Sequence, residues 1–176
     1  MKIIVMGPQG SGKSTQAELL AREFELPHLQ TGELYRCISE QNSSLARKIK
    51  KILDKGELVS DKDHRKILGK EIKKPKYRKG FVLDGSPRTL SQAKIQPFEV
   101  DEVFYLDVSD EVNIKRLVKR GRKDDTPELI KKRLKIYHNQ TEPVLDYYRQ
   151  MGILEKVDGE RPIEEIHQDI MERVRR

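Results

Sequence analysis

The octapeptide Gly7-Pro8-Gln9-Gly10-Ser11-Gly12-Lys13-Ser14 constrains this chain more than any other stretch. It fits the pattern G-x-x-x-x-G-K-S/T without a gap, and with glycine usage near 7% a chance fit is expected in well under about one in a hundred chains of this length. An apolar run, Lys2–Met6, precedes it and reads as a buried strand; Ser14–Phe24 follows, with Ala17, Leu20 and Phe24 at helical spacing. A strand, a glycine-rich turn and a helix in that order point successive backbone N–H groups and a helix N-terminus at one place, which is a cradle for phosphate. Gly10, Ser11, Gly12 and Thr15 belong to that cradle. Lys13 is placed to reach the β- and γ-phosphates of a nucleotide, and the Ser14 hydroxyl to ligate Mg²⁺.

The remaining pattern repeats the alternation. Phe81–Leu83, Val103–Val108 and Ile153–Val157 read as strands, and Ser60-x-x-Asp63 and Thr126-Pro127-Glu128 as helix starts. A last helix after Pro162 carries Ile163, Ile166, Ile170 and Val174 on one face. Strands alternating with helices predict an α/β fold, a central parallel sheet with helices on both faces and ligands at the carboxyl ends of the strands. Asp84 closes the apolar run Phe81-Val82-Leu83, where an acid can hold a metal's water shell opposite the phosphate loop.

Composition excludes several classes. The 176 residues, 35% hydrophobic and 37% charged, fit one solvated α/β domain. Apolar runs such as Ile3-Ile4-Val5-Met6 are too short to span a bilayer, and the N-terminus has no signal-peptide pattern, so the expected location is cytoplasmic, with no membrane partner. One cysteine, Cys37, excludes an internal disulfide and a cysteine-rich zinc site, and it is expected to be buried. His28, His64, His138 and His167 lack metal-ligand spacing, and Tyr137, Tyr147 and Tyr148 read as helix packing. The net charge of +7 admits nucleic-acid binding through Lys48/Lys50/Lys51 or Lys70–Lys79, but acids are interspersed as in Lys70-Glu71-Ile72-Lys73, so solvated helix faces are favoured and no nucleic acid is expected.

Asp84-Gly85-Ser86-Pro87-Arg88-Thr89, with Gln92 following, resembles the adenylate kinases among the P-loop nucleoside monophosphate kinases. The resemblance runs from Lys2 to the final helix. Family phosphate loops are similar to Gly7–Gln16, and Gln30-Thr31-Gly32-Glu33-Leu34-Tyr35-Arg36 resembles the start of their AMP-site helix. Asp54-x-Gly56-Glu57-Leu58-Val59-Ser60 is similar to the far wall of that pocket. Arg116-x-x-x-Arg120, Arg122-Lys123-Asp124-Asp125 and Arg133 resemble the arginine-rich lid, and Lys156–Pro162 the loop beneath the ATP adenine.

The resemblance implies a P-loop kinase fold in a single domain of residues 1–176, with a small helical insertion for the acceptor nucleotide at about 30–59 and a minimal lid at about 120–126. It implies the reaction ATP + AMP = 2 ADP with Mg²⁺ as cofactor, held by Ser14 and, through water, by Asp84. AMP would be bound by Thr31, Arg36, Glu57, Leu58, Val59, Gly85, Arg88, Gln92, Arg122 and Arg133. Arg116, Arg120 and Arg161 would join the phosphate loop around ATP, and Lys13, Arg88, Arg120, Arg122 and Arg133 would be catalytic. A monomer is favoured. The chemistry agrees, because an AMP phosphate oxygen is already anionic and needs no general base. The reaction needs positioning and cancellation of charge, which arginine forks and one lysine supply. Asp124 and Asp125 fit either a helix-start acid pair or partners that orient the lid arginines.

Three positions depart from the family. Ser14 stands where many members have glycine, Ser86 where phenylalanine is usual, and only Gly121 separates Arg120 from Arg122. With so short a lid, closure is expected from the 30–59 segment or from a neighbouring subunit. The rival reading is a UMP/CMP kinase, against which Thr89 and Gln92 favour adenine; a P-loop ATPase that binds RNA is a more distant one.

Overall fold

The computed structural model describes residues 1–122 and 125–174. Five strands, β1 (Lys2–Met6), β2 (His28–Gln30), β3 (Phe81–Asp84), β4 (Glu102–Asp107) and β5 (Leu154–Asp158), form one parallel sheet in the order β2-β3-β1-β4-β5. The register aligns Ile4 with Leu83 and Val103, so β1 is hydrogen-bonded on both sides. Helices connect the strands, α1 (Lys13–Glu23), α2 (Thr31–Ser39), α3 (Ser44–Asp54), α4 (Asp61–Glu71), α5 (Leu90–Lys94), α6 (Asp110–Arg120), α7 (Pro127–Ile136) and α8 (Pro143–Gln150), and α9 (Ile163–Val174) follows the last of them.

The pleat sorts the apolar runs into two cores. Ile3, Val5, Val82, Phe104 and Leu106 face α1 and α9 through Leu20, Ile166 and Ile170. Ile4, Met6, Leu83, Val103 and Tyr105 face the other way, onto Leu68 of α4 and Val144, Leu145 and Tyr148 of α8. Burial on both faces is why these strands read as continuous apolar runs. A third cluster lies off the sheet, where Tyr35 of α2 and Ile49 of α3 meet Val59 and Ile67.

The strand order reverses direction about β1, which places the crevice for a ligand outside the carboxyl end of that strand. The loop 7–12 leaves β1 there, beside the ends of β2 and β3.

Three expectations need correction. β2 is a strand that the sequence does not signal, since His28-Leu29-Gln30 is short and only Leu29 is fully apolar; it is held by pairing to β3. β4 and β5 lie one residue before and after the predicted spans, and β3 extends to Asp84. Cys37 is exposed. On α2 the buried side is set by Tyr35, and a residue two further on points about 200° away from it. The helix starts hold, with Ser60 accepting from Asp63 N and Thr126 from Leu129 N.

Candidate functional site

The phosphate loop packs tightly under the sheet edge. Gly10 has φ of +91°, and a Cβ there would lie 2.6 Å from the Asn113 carbonyl oxygen, so both its conformation and its neighbour demand glycine. Lys13 Nζ donates to the carbonyl of Pro8 at 3.0 Å, folding back over the loop. Its pKa is pushed down to about 8, first by removal from water, with Arg88, Arg120 and Arg122 adding and Asp84 opposing. A lysine under that pressure is one that gains from an arriving polyanion.

Asp84 sits at the end of β3, 2% exposed. Burial alone would raise its pKa, but the hydrogen bond from His28 and the charge of Lys13 hold it below the usual carboxylate range. His28 Nε2 lies 3.0 Å from its Oδ2, and Gln30 Nε2 lies 3.3 Å from the same oxygen. Gln30 also donates to Ser14 Oγ at 2.7 Å. One amide thus ties the two candidate metal oxygens together, and a hydroxyl and a carboxylate so placed suit a hard cation that keeps much of its water. His28 and Gln30 were missed from sequence; β2 brings them in, and the alternation in His28-x-Gln30 was the available signal. Among the described residues, no group of three or more His, Cys, Asp or Glu could hold a metal by itself.

The next wall comes from α2 and the loop after β3. Gly85 has φ of +76°, and a Cβ there would come within 2.7 Å of Thr31 Oγ1, so glycine permits the two segments to touch. Thr31 Oγ1 donates to the Asp84 carbonyl at 3.1 Å. Arg88 Nε donates to the Gly85 carbonyl at 2.7 Å, and its own carbonyl accepts from Thr141 Oγ1 at 2.9 Å. Burial lowers the Arg88 pKa, with Arg133 and Arg36 adding and Tyr35 and Asp84 opposing. Arg36 is paired with Glu33 at 2.7 Å on the rim. Gln92 is buried; its Oε1 accepts from Arg88 N at 2.8 Å and its Nε2 donates to the Val59 carbonyl at 3.3 Å.

Arg120, Arg122 and Arg133 meet at Asp125. Arg120 makes two hydrogen bonds to its carboxylate, 2.9 and 2.7 Å, and Arg133 Nη1 lies 3.7 Å from it. Arg122 N lies 3.4 Å from the same group. Asp125 is therefore an orienting partner, whereas Asp124 lies outside the described residues. Lys13, Ser14, Arg36, Glu57, Leu58, Val59, Asp84, Gly85, Arg88, Gln92, Arg120, Arg122 and Arg133 all line one cleft. A second groove on the other side of the loop is lined by Ser11, Gly12, Thr15, Arg116 and Arg161. There Arg116 Nη1 donates to the Gly159 carbonyl at 2.9 Å, tying the 158–161 loop to the phosphate loop, and Arg161 is paired with Asp169. The structure thus brings the predicted residues to two adjoining sites, with Thr31 beneath Gly85 and Gly10 packed on α6.

A sequence profile described as Adenylate kinase matches residues 5–153. The adenylate kinase of Prochlorococcus marinus strain MIT 9515 is 44% identical over 181 aligned residues, covering 98% of this chain and 97% of that one. The adenylate kinase of Xanthomonas oryzae pv. oryzae strain MAFF 311018 is 39% identical, covering 100% of this chain and 98% of that one. That of Stenotrophomonas maltophilia strain K279a is 38% identical, with 97% of each covered.

Proposed function

This chain belongs to the adenylate kinase family, whose reaction is phosphoryl transfer between ATP and AMP, and we propose how its own residues divide that work. ATP takes the phosphate loop, with its base side in the groove of Thr15, Arg116 and Arg161. AMP takes the cleft between the 30–59 segment and the Gly85–Gln92 loop. The observation that carries this reading is the convergence of Lys13, Arg88, Arg120 and Arg122 on one cleft beside Asp84.

An AMP phosphate oxygen attacks the γ-phosphorus, the bond from the γ-phosphorus to the β-phosphate oxygen breaks, and both products are ADP. Lys13 and the arginines face the oxygens on which negative charge accumulates, and fixed cations in a space with little water stabilise that charge strongly. Asp125 holds Arg120 in advance, which removes part of its conformational cost. Ser14 and Asp84 would hold Mg²⁺, which, when bound, neutralises charge on the bridging phosphates. Leu58 and Val59 provide an apolar wall that limits entry of water.

Gln92 suits the reading of adenine. Its Oε1 has a second lone pair beyond the one used by Arg88 N, and its Nε2 a second hydrogen beyond the one given to Val59, which match the N6–H and N1 of the base. The two backbone partners also fix which end of the amide points which way.

We further propose a cytoplasmic monomer, one domain over 1–176 with the lid at about 120–126, acting on free nucleotides and not on nucleic acid. Its exposed thiol fits a reducing compartment. Basic side chains are answered locally, Lys74 by Glu71 at 2.6 Å and Lys48 by Asp63 at 2.5 Å, as on solvated helix faces. No helix among the described residues is long and apolar enough to cross a membrane. The test is ADP formation from ATP with AMP, UMP, CMP, GMP and dTMP in turn; equal use of UMP would overturn the AMP assignment.

A further inference from the structure

On the AMP side of the cleft, where Tyr35 and His64 are part of its lining, lies a buried polar chain that takes no direct part in the transfer. His64 of α4, 2% exposed, has Nδ1 2.6 Å from the Tyr35 hydroxyl on α2 and Nε2 2.9 Å from the Ser86 hydroxyl in the loop after β3. Both hydroxyls belong to buried residues. A neutral imidazole offers one donor and one acceptor, and each hydroxyl can play either part, so both ring nitrogens are satisfied in either tautomer. Ser86 stands where the family usually carries phenylalanine. A hydroxyl in that place needs a buried partner, and His64 is it.

The ends of this chain sit in the two halves of the AMP site. Tyr35 adjoins Arg36 on the helix that begins with Thr31. Ser86 lies between Gly85 and Arg88. We infer that His64 is a positioning residue for AMP, fixing α2 against the Gly85–Arg88 loop so that the two halves grip one nucleotide. The inference rests on the AMP assignment proposed above.

The electrostatics agree with a neutral bridge. Burial and then Arg88 push the His64 pKa down to about 4, while Asp61 opposes. Asp61 is itself engaged by the Thr89 hydroxyl at 2.9 Å. Tyr35 is held protonated, mainly by burial, with Arg88 opposing and Asp63 adding. Near neutral pH the bridge therefore adds no charge to the field of Arg36, Arg88 and Arg133 that the AMP phosphate meets.

The test is steady-state kinetics near neutral pH, with AMP and ATP varied separately, on the unaltered protein and on His64→Leu, His64→Gln, Ser86→Ala and Arg88→Ala. Leucine fills much of the space but breaks both hydrogen bonds. It should raise KM for AMP at least about tenfold, since small misplacements of binding groups are costly, and leave KM for ATP within about twofold. Glutamine, which can bond one of the hydroxyls, should recover part of the loss. An unchanged KM for AMP, or an equal rise for both substrates as a merely structural defect gives, overturns the inference. Should His64→Leu not fold, Ser86→Ala decides: a rise in KM for AMP alone supports the inference, and no change overturns it. Arg88→Ala separates the two levels of the argument. Unimpaired AMP use in that variant faults the AMP site itself, whereas impairment there with silent His64 and Ser86 variants faults only the positioning role.

Discussion

Lys132 of α7 donates to the carbonyl of Lys55 at 2.6 Å, and its Nζ lies 3.7 Å from Glu57, so the loop that ends the 30–59 segment is docked on the helix carrying Arg133. This contact bears on how a chain with the minimal lid proposed above would keep water from the phosphoryl group. If closure comes from the AMP side, ATP alone is imperfectly sealed and should be hydrolysed slowly, and a non-reactive AMP analogue should suppress that leak. Lys132→Met should increase phosphate release from ATP alone by about two- to tenfold, the worth of one hydrogen bond. Absence of any leak in a demonstrated monomer would mean that the short lid seals the site unaided.

Charge cancellation gives the largest expected effects. Lys13→Ala and Arg88→Ala should each lower turnover by at least about 10², because each removes a cation facing the transferring group. Thermal unfolding should change little, since both side chains line the open cleft. Near-normal turnover in either variant removes that residue from the mechanism.

Base selection should follow from Gln92. AMP is expected to exceed UMP and CMP by at least about 10² in kcat/KM, because a site built around polar groups penalises a base that leaves them unpaired. Gln92→Leu should narrow the gap while sparing KM for ATP. A gap that survives the substitution would assign selection to the shape of the Leu58–Val59 wall.

Acid should destabilise the fold through His64. Its pKa in the folded protein is about 4 against 6.5 for the free side chain, so between those values the unfolded chain binds the extra proton. Stability therefore rises with pH from about 4 to 6.5 and is fully present above that window, an effect on the order of 3 kcal/mol for this one group. Asp84 acts at lower pH, its depressed pKa withdrawing stability only as the carboxylate protonates. Urea unfolding at pH near 4.5 and near 7 should show a smaller difference for His64→Leu than for the unaltered chain. Equal differences would mean that His64 is protonated in the folded state.

Local sequence determined the phosphate loop, the two-sided sheet and the helix starts, because each depends on neighbours in the chain: glycines that free the backbone, apolar runs buried on both faces, a serine three residues before an aspartate. The residues that line the cleft were also legible, through motifs whose members lie close in sequence. Tertiary structure alone decided the strand at His28–Gln30, which exists because β3 offers it partners, and with it the tie from Gln30 to Ser14 and Asp84. It decided that Cys37 faces outward, since only the packing of Tyr35 fixes the rotation of α2. It decided, too, the bridge from Tyr35 through His64 to Ser86, whose members are separated by 29 and 22 residues. A hydrogen bond requires atoms about 3 Å apart, and no local pattern encodes which distant hydroxyl a buried imidazole will meet.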